Sequence, residues 1–226
     1  MSSPYLYAMK KMFINIFLVL AGITMIVLGY MQFSGGQQVR ELPYFEPIAK
    51  NIQHKTDSFH RHIVSDFSLV DQSGKTITRK DFESSITAVD FFFTSCKGIC
   101  PVMNSQMSRV YEKFKGNPEV QFISHTVNPE KDSVPVLAEY AQHYKADAKQ
   151  WHFVTGDKVQ LYNLARQSYM ISDTQGNGGK EDFVHSQNFA LIDKEGHIRG
   201  IYNGIDSSEV NRMMVEMDVL LGSYPK

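Results

Sequence analysis

Residues 86–101 read ITAVDFFFTSCKGICP. From Ile86 to Thr94 the run is β-branched and aromatic with a single acid, Asp90, the composition of a strand covered on both faces and therefore central to its sheet. Cys96 and Cys100 follow at once. Gly98 eases a tight turn between them, and Pro101 stands where a helix would begin, a place at which the missing N–H costs nothing. Met103, Met107, Val110 and Phe114 then recur at helical spacing, and this spacing assigns the two methionines to the core rather than to a metal relay. A strand, a cysteine turn and a helix place two sulfurs where backbone N–H groups and the helix dipole favour thiolate over thiol. Such a pair can share a metal or form a disulfide, and the spacing alone leaves both open.

Outward from this frame the pattern alternates. Phe67–Val70, the turn Asp71-Gln72-Ser73-Gly74 and Lys75–Thr78 read as a hairpin, and Gln121–Val127 as a second buried strand. A helix is expected from Pro135 to Tyr144, a short strand at Gln150–Val154, and a helix from Asp157 to about Tyr169. Asp173–Asp182 reads as a flexible loop, Gln187–Ile192 and His197–Tyr202 as a second hairpin, and Asp206 as the cap of a final amphipathic helix. The sum is an α/β fold with a central sheet and helices on both faces.

The N-terminal part differs in kind. Residues 12–31, MFINIFLVLAGITMIVLGYM, carry no charge. Twenty residues at about 1.5 Å each cover roughly 30 Å, a bilayer's hydrocarbon thickness, so 12–32 is expected to be a transmembrane anchor. Lys10 and Lys11 precede it and no charge follows before Arg40, which puts residues 1–11 in the cytoplasm and the rest outside. The length of the run and the absence of a small-residue cleavage pattern favour an uncleaved anchor, and the short Lys-only leader a bacterial inner membrane. Residues 33–59 read as a tether and 60–226 as one domain.

Composition narrows the function. With 23 Lys+Arg against 24 Asp+Glu the chain has a net charge of -1, without the basic footprint of a nucleic-acid binder. Two cysteines in 226 residues exclude a disulfide-dense scaffold and a four-cysteine zinc or iron–sulfur site. Gly178-Gly179-Lys180 lacks the following Ser or Thr and the preceding strand of a phosphate loop. A metal held by the cysteines needs a third ligand. Of the eight histidines, His54, His60 and His62 fall in or near the tether, His143 and His197 read as exposed, His152 sits on a short strand and His125 on a buried one. His185, between the glycine-rich loop and the last hairpin, is the position to test.

The segment TSCKGICPVM after a hydrophobic strand, with DFVHSQNFALIDKEGHIRGIYNG downstream, resembles the Sco/SenC family of copper chaperones. The likeness extends to the leading hairpin with Asp71 and Gly74 and to the stretch from Thr126 to Asp132. It implies a thioredoxin-like central mixed sheet flanked by helices, anchored in a membrane and facing the periplasm or the mitochondrial intermembrane space, the Lys-only leader favouring the periplasm. It also implies copper, as Cu(I) and with a further ligand Cu(II), held by Cys96, Cys100 and His185 and passed to the copper-accepting subunit of cytochrome c oxidase. Two positions depart from the family pattern. Asn128 stands where an acid is common, and Asp90 lies where an apolar residue is usual and thioredoxins carry a buried acid. Asp90 is either a desolvated, protonated carboxyl beside the cysteines or a strand-edge residue bonded to backbone. The rival function is a thiol-disulfide oxidoreductase with Cys96 and Cys100 as its catalytic attacking and resolving thiols; a membrane-bound sensor of copper or oxidant is a third reading.

Overall fold

The computed structural model describes residues 11–13, 15–25, 41–47, 55–172, 176, 179 and 182–225. Among the described residues from 55 on, seven strands and four α-helices follow in chain order: β1 (Ser68–Asp71), β2 (Thr76–Thr78), β3 (Ile86–Phe92), α1 (Cys100–Phe114), β4 (Val120–Thr126), α2 (Val134–His143), β5 (Trp151–Thr155), α3 (Lys158–Asn163), β6 (Asn188–Ile192), β7 (Ile198–Asn203) and α4 (Ser207–Ser223). The strands form one sheet in the order β2-β1-β5-β4-β3-β6-β7.

Every residue of β3 is buried. It pairs in parallel with β4 along its whole length, from Ile86 opposite Val120 to Phe92 opposite Thr126, and antiparallel with β6, Thr87 facing Ile192. Its side chains alternate between two cores. Ile86, Ala88 and Phe92 join Met103, Met107, Val110, Leu137, Met213 and Met217 on one face, while Val89 and Phe91 join Phe67, Ile123, Leu161 and Tyr169 on the other. Cover on both faces is why the strand reads as a mostly apolar run broken by Thr87 and Asp90. Met103 and Met107 are fully buried core residues, as their spacing requires.

The connections obey local chemistry. Asp71 Oδ1 accepts from Ser73 N (2.9 Å), Ser73 Oγ (2.6 Å) and Lys75 N (3.0 Å), and Gly74 takes the left-handed φ of +84° that closes the first hairpin. Asp157 caps α3 through Gln160 N, and Asp206 accepts from Ser208 N at the start of α4. The helix expected to run on to Tyr169 changes winding after Asn163, where Leu164–Ser168 forms a π turn.

The chain divides into two compact units, Met1–Glu41 and Leu42–Lys226. The second begins earlier than the tether reading of 33–59 suggests. Leu42 is buried, Arg199 donates to the carbonyls of Leu42 (2.5 Å) and Pro43 (3.1 Å), Phe45 N donates to Ile198 O, and Thr56 bridges to His62. In the first unit, residues 11–13 and 15–25 are helical and exposed. Among the described residues no helix is long and apolar enough to cross a membrane, and residues 14 and 26–32 of the expected span lie outside them.

Candidate metal and thiol site

At the end of β3 the chain turns through Thr94–Ile99 into α1, with Cys96 N donating to Phe93 O (3.2 Å) and Met103 N to Ile99 O (3.0 Å). Pro101 sits in the first turn of α1, where it is tolerated. Both cysteines are free; Cys96 is partly exposed and Cys100 buried. Their environments pull them apart. Burial alone would raise Cys96, but hydrogen bonds from the Cys100 thiol and from the N–H groups of Cys100, Gly98 and Ile99 bring it below the ordinary thiol value. Cys100 is pushed up to about 12 by burial, by its bond to Cys96 and by the nearby charges of Cys96 and Asp90. The outer sulfur is therefore the more readily ionised of the two, and the inner thiol the donor that supports its charge.

Asp90 is fully buried on the face of β3 that looks toward Cys100. Its Oδ1 accepts from Ser124 Oγ at 2.5 Å, and Ser124 in turn accepts from Trp151 Nε1 at 2.9 Å. Oδ2 has no hydrogen-bond partner among the described residues. Burial lifts this carboxyl to about 7, the Ser124 bond offsetting only part. Of the two sequence readings, the desolvated acid is the one observed.

The turn is also held from β4. Thr94 donates to Asp132 through Oγ (2.5 Å) and through N (3.2 Å), and Thr126 Oγ donates to the same carboxylate. Beside Cys96 an open groove of about 430 Å³ is lined by Thr94, Pro101, Val136, Tyr140 and Tyr144.

His185 is exposed and lies in the segment leading into β6, the strand next to β3. An aromatic chain joins it to the cysteine turn: the Phe93 and Phe183 rings meet edge to face at 5.2 Å, and Phe183 lies 4.8 Å from the His185 ring. The donor atoms of Cys96, Cys100 and His185 are not gathered within 4.8 Å of one another; among the described residues Asp193, Glu195 and His197 bring theirs that close. Those three form a braced turn. His197 Nδ1 lies 3.2 Å from Asp193, its Nε2 3.1 Å from Asp57 Oδ2, and Arg199 Nη1 donates to Asp193 at 3.0 Å. His197 is thus buried, not exposed as its sequence position suggests, because carboxylates from two segments close over it.

The other histidines are occupied structurally. His125 stacks on Phe91 at 4.6 Å, and burial pushes it down to about 3. His152 pairs with Asp71 (3.1 Å) and His62 with Ser168 O (2.7 Å), whereas His60 and His143 are exposed and His54 lies outside the described residues. The loop before His185 is described only at Gly176 and Gly179 between residues 173 and 181, so its expected flexibility falls outside the described residues.

A family model described as SCO1/SenC matches residues 55–218, which include the strand–turn–helix, both cysteines and His185. The chain belongs to the SCO1/SenC family. Among Sco relatives, the "SCO1 protein homolog" of Bacillus subtilis is 26% identical over 193 residues, covering 84% of this chain and 91% of that protein. The structure of BsSco, described as a member of the Sco family of cytochrome c oxidase assembly proteins, superposes with a TM-score of 0.61 at 26% identity, covering 72% of this chain and 95% of BsSco. Copper-bound ScoI of Arabidopsis thaliana gives 0.57 at 25% identity, covering 72% and 99%. The mixed α/β sheet with flanking helices is therefore the thioredoxin-like Sco fold.

Proposed function

We propose that this chain carries a copper ion as cargo between Cys96, Cys100 and His185 and delivers it to the copper-accepting subunit of cytochrome c oxidase. Residues 12–32 anchor it in a bacterial inner membrane with the domain on the periplasmic side. The observation that carries the reading is the unequal cysteine pair at the end of β3, one sulfur partly exposed and ringed by N–H groups that favour its ionised form, the other buried and raised. Two thiolates and one imidazole are a soft, low-coordinate set that suits Cu(I). Cys96 meets the ion first, and Cys100 binds as it gives up its proton. His185 then closes from the β6 side by a swing of its own segment. A three-ligand site keeps an open face, so an acceptor's thiolate can enter and leave with the ion by ligand exchange. Relatives described as copper-bound and as oxidase assembly proteins support this reading. The test is an anaerobic Cu(I) titration of the full chain against a competing chelator. One ion per chain, lost on Cys96→Ser or Cys100→Ser and weakened by His185→Ala, supports the proposal; binding of no copper overturns it.

Asp90 favours a second reading, reduction of an acceptor's disulfide. The Cys96 thiolate attacks one acceptor sulfur and expels the other as thiolate, forming a mixed disulfide. Cys100 loses its proton and attacks Cys96, releasing the second acceptor thiol while the pair is oxidised by two electrons. A buried carboxyl titrating near neutrality on the Cys100 side is suited to take that proton. His185→Ala separates the two: it leaves this reduction unchanged.

A further inference from the structure

Cys96 and Cys100 are held by different parts of the fold. Cys100 is the first residue of α1 and is packed into the core with Met103 and Phe92. Cys96 belongs to a turn anchored on its N-terminal side at Thr94, and Thr94 is anchored by a residue 38 positions further along the chain. We propose that Asp132 is a positioning residue for the metal-binding turn, its buried carboxylate tying Thr94 to the end of β4 and thereby fixing Cys96 relative to Cys100.

Asp132 is completely buried. A carboxylate there must have its charge met by donors, and three are supplied: Thr94 Oγ on Oδ1, and Thr94 N together with Thr126 Oγ on Oδ2. Two of the three belong to Thr94, two residues before Cys96. The turn that presents Asp132 is itself rigid. Lys131 N and Asp132 N both donate to Asn128 O (3.0 and 2.9 Å), and Asn128 N donates to Thr126 Oγ (2.9 Å). Val127 is pinned from both sides, its N–H on Phe92 O (2.8 Å) and its carbonyl under the Tyr162 hydroxyl (2.7 Å). Movement of Asp132 is thereby blocked, and Thr94 has one place to sit. Freed from it, the turn would drift from α1, and Cys96 would leave the N–H groups of Gly98, Ile99 and Cys100 that face its sulfur.

The inference rests on the copper reading for its consequence, weaker and slower metal capture, but not for its geometry. Three variants of the full chain test it: Asp132→Ala, Thr94→Val and Thr126→Val, each read by Cu(I) competition, by the iodoacetamide alkylation rate of Cys96 and by melting temperature. Loss of a group that orients a ligand costs about 10–100-fold in metal affinity, which is the effect expected for Asp132→Ala and Thr94→Val. A fourth variant combining Asp132→Ala with Thr94→Val should bind no more weakly than Asp132→Ala alone, since both changes remove one link. Thr126→Val removes a bond from the same carboxylate and the acceptor of Asn128 N but leaves both Thr94 bonds in place, so it lowers the melting temperature by more than its small effect on Cu(I) affinity and Cys96 reactivity would match. If affinity follows melting temperature alike in all three variants, Asp132 is merely structural and the proposal fails. It fails equally if Thr94→Val, which retains an Oδ2 bond through its N–H and is the variant surest to fold, changes neither affinity nor alkylation. Should the wild type bind no copper, the copper reading falls, and alkylation of Cys96 alone still decides the positioning claim.

Discussion

Asp90 imposes a pH-dependent cost on the fold that Asp90→Asn should remove. Burial raises its carboxyl from the ordinary 3.8 of an exposed aspartate to about 7 in the folded protein. For an acid whose folded value is raised, the folded state holds its proton longer than the unfolded chain does. Below pH 3.8 both states are protonated and the group is neutral to stability. Between 3.8 and 7 the unfolded chain ionises first, so stability falls as pH rises, and above 7 the full cost is present. At about 1.4 kcal/mol per pH unit that cost approaches ~4 kcal/mol, of which ~2–3 kcal/mol develops between pH 5 and 7.5. Asparagine cannot ionise, and its Oδ1 can still accept from Ser124. The assay is urea unfolding of wild type and Asp90→Asn at pH 5 and 7.5, followed by Trp151 fluorescence. The wild type should lose ~2–3 kcal/mol relative to the variant across that interval, a gap wide enough to survive the extrapolation error. Parallel stabilities at the two pH values would refute the reasoning and return Asp90 to an ordinary ionised carboxylate.

In the reduced protein at pH 8, iodoacetamide should modify Cys96 rapidly and Cys100 hardly at all, since the latter is buried and pushed up to about 12; equal rates by mass spectrometry would remove the asymmetry on which loading depends. Gly204→Ala should cost roughly 1–3 kcal/mol in urea unfolding, because its Cβ would stand 2.6 Å from the Phe189 ring and 2.9 Å from the backbone oxygen of Gln187; an unchanged midpoint would mean the close approach is not there.

What was legible in the sequence was whatever depends on neighbours along the chain. The run from Ile86 to Phe92 announced a central strand because a sheet covered on both faces selects mostly apolar side chains, Asp90 being the exception, and the spacing of Met103 and Met107 announced a buried helix face. Asp71, Gly74, Asp157 and Asp206 were readable as turn and cap residues since their bonds reach only two to four positions. Contacts between distant segments were not. Asp132 lay inside a recognised stretch but had no visible partner, as Thr94 is 38 residues upstream. His197 read as exposed because Asp57, which covers it, is 140 residues away, and Leu42–Pro47 read as tether because Arg199 supplies its anchor. His185 stood out by its place before the last hairpin, and the family likeness gave it a role; its aromatic link to Phe93 appeared only in three dimensions.

The central claim is that two sulfurs and one imidazole share a copper ion. X-ray absorption at the copper edge, on the Cu(I)-loaded full chain and on its His185→Ala variant, addresses it directly. The account predicts two sulfur scatterers and one nitrogen in the wild type, with the nitrogen lost in the variant. A shell that is all sulfur, or a nitrogen that persists without His185, would contradict it.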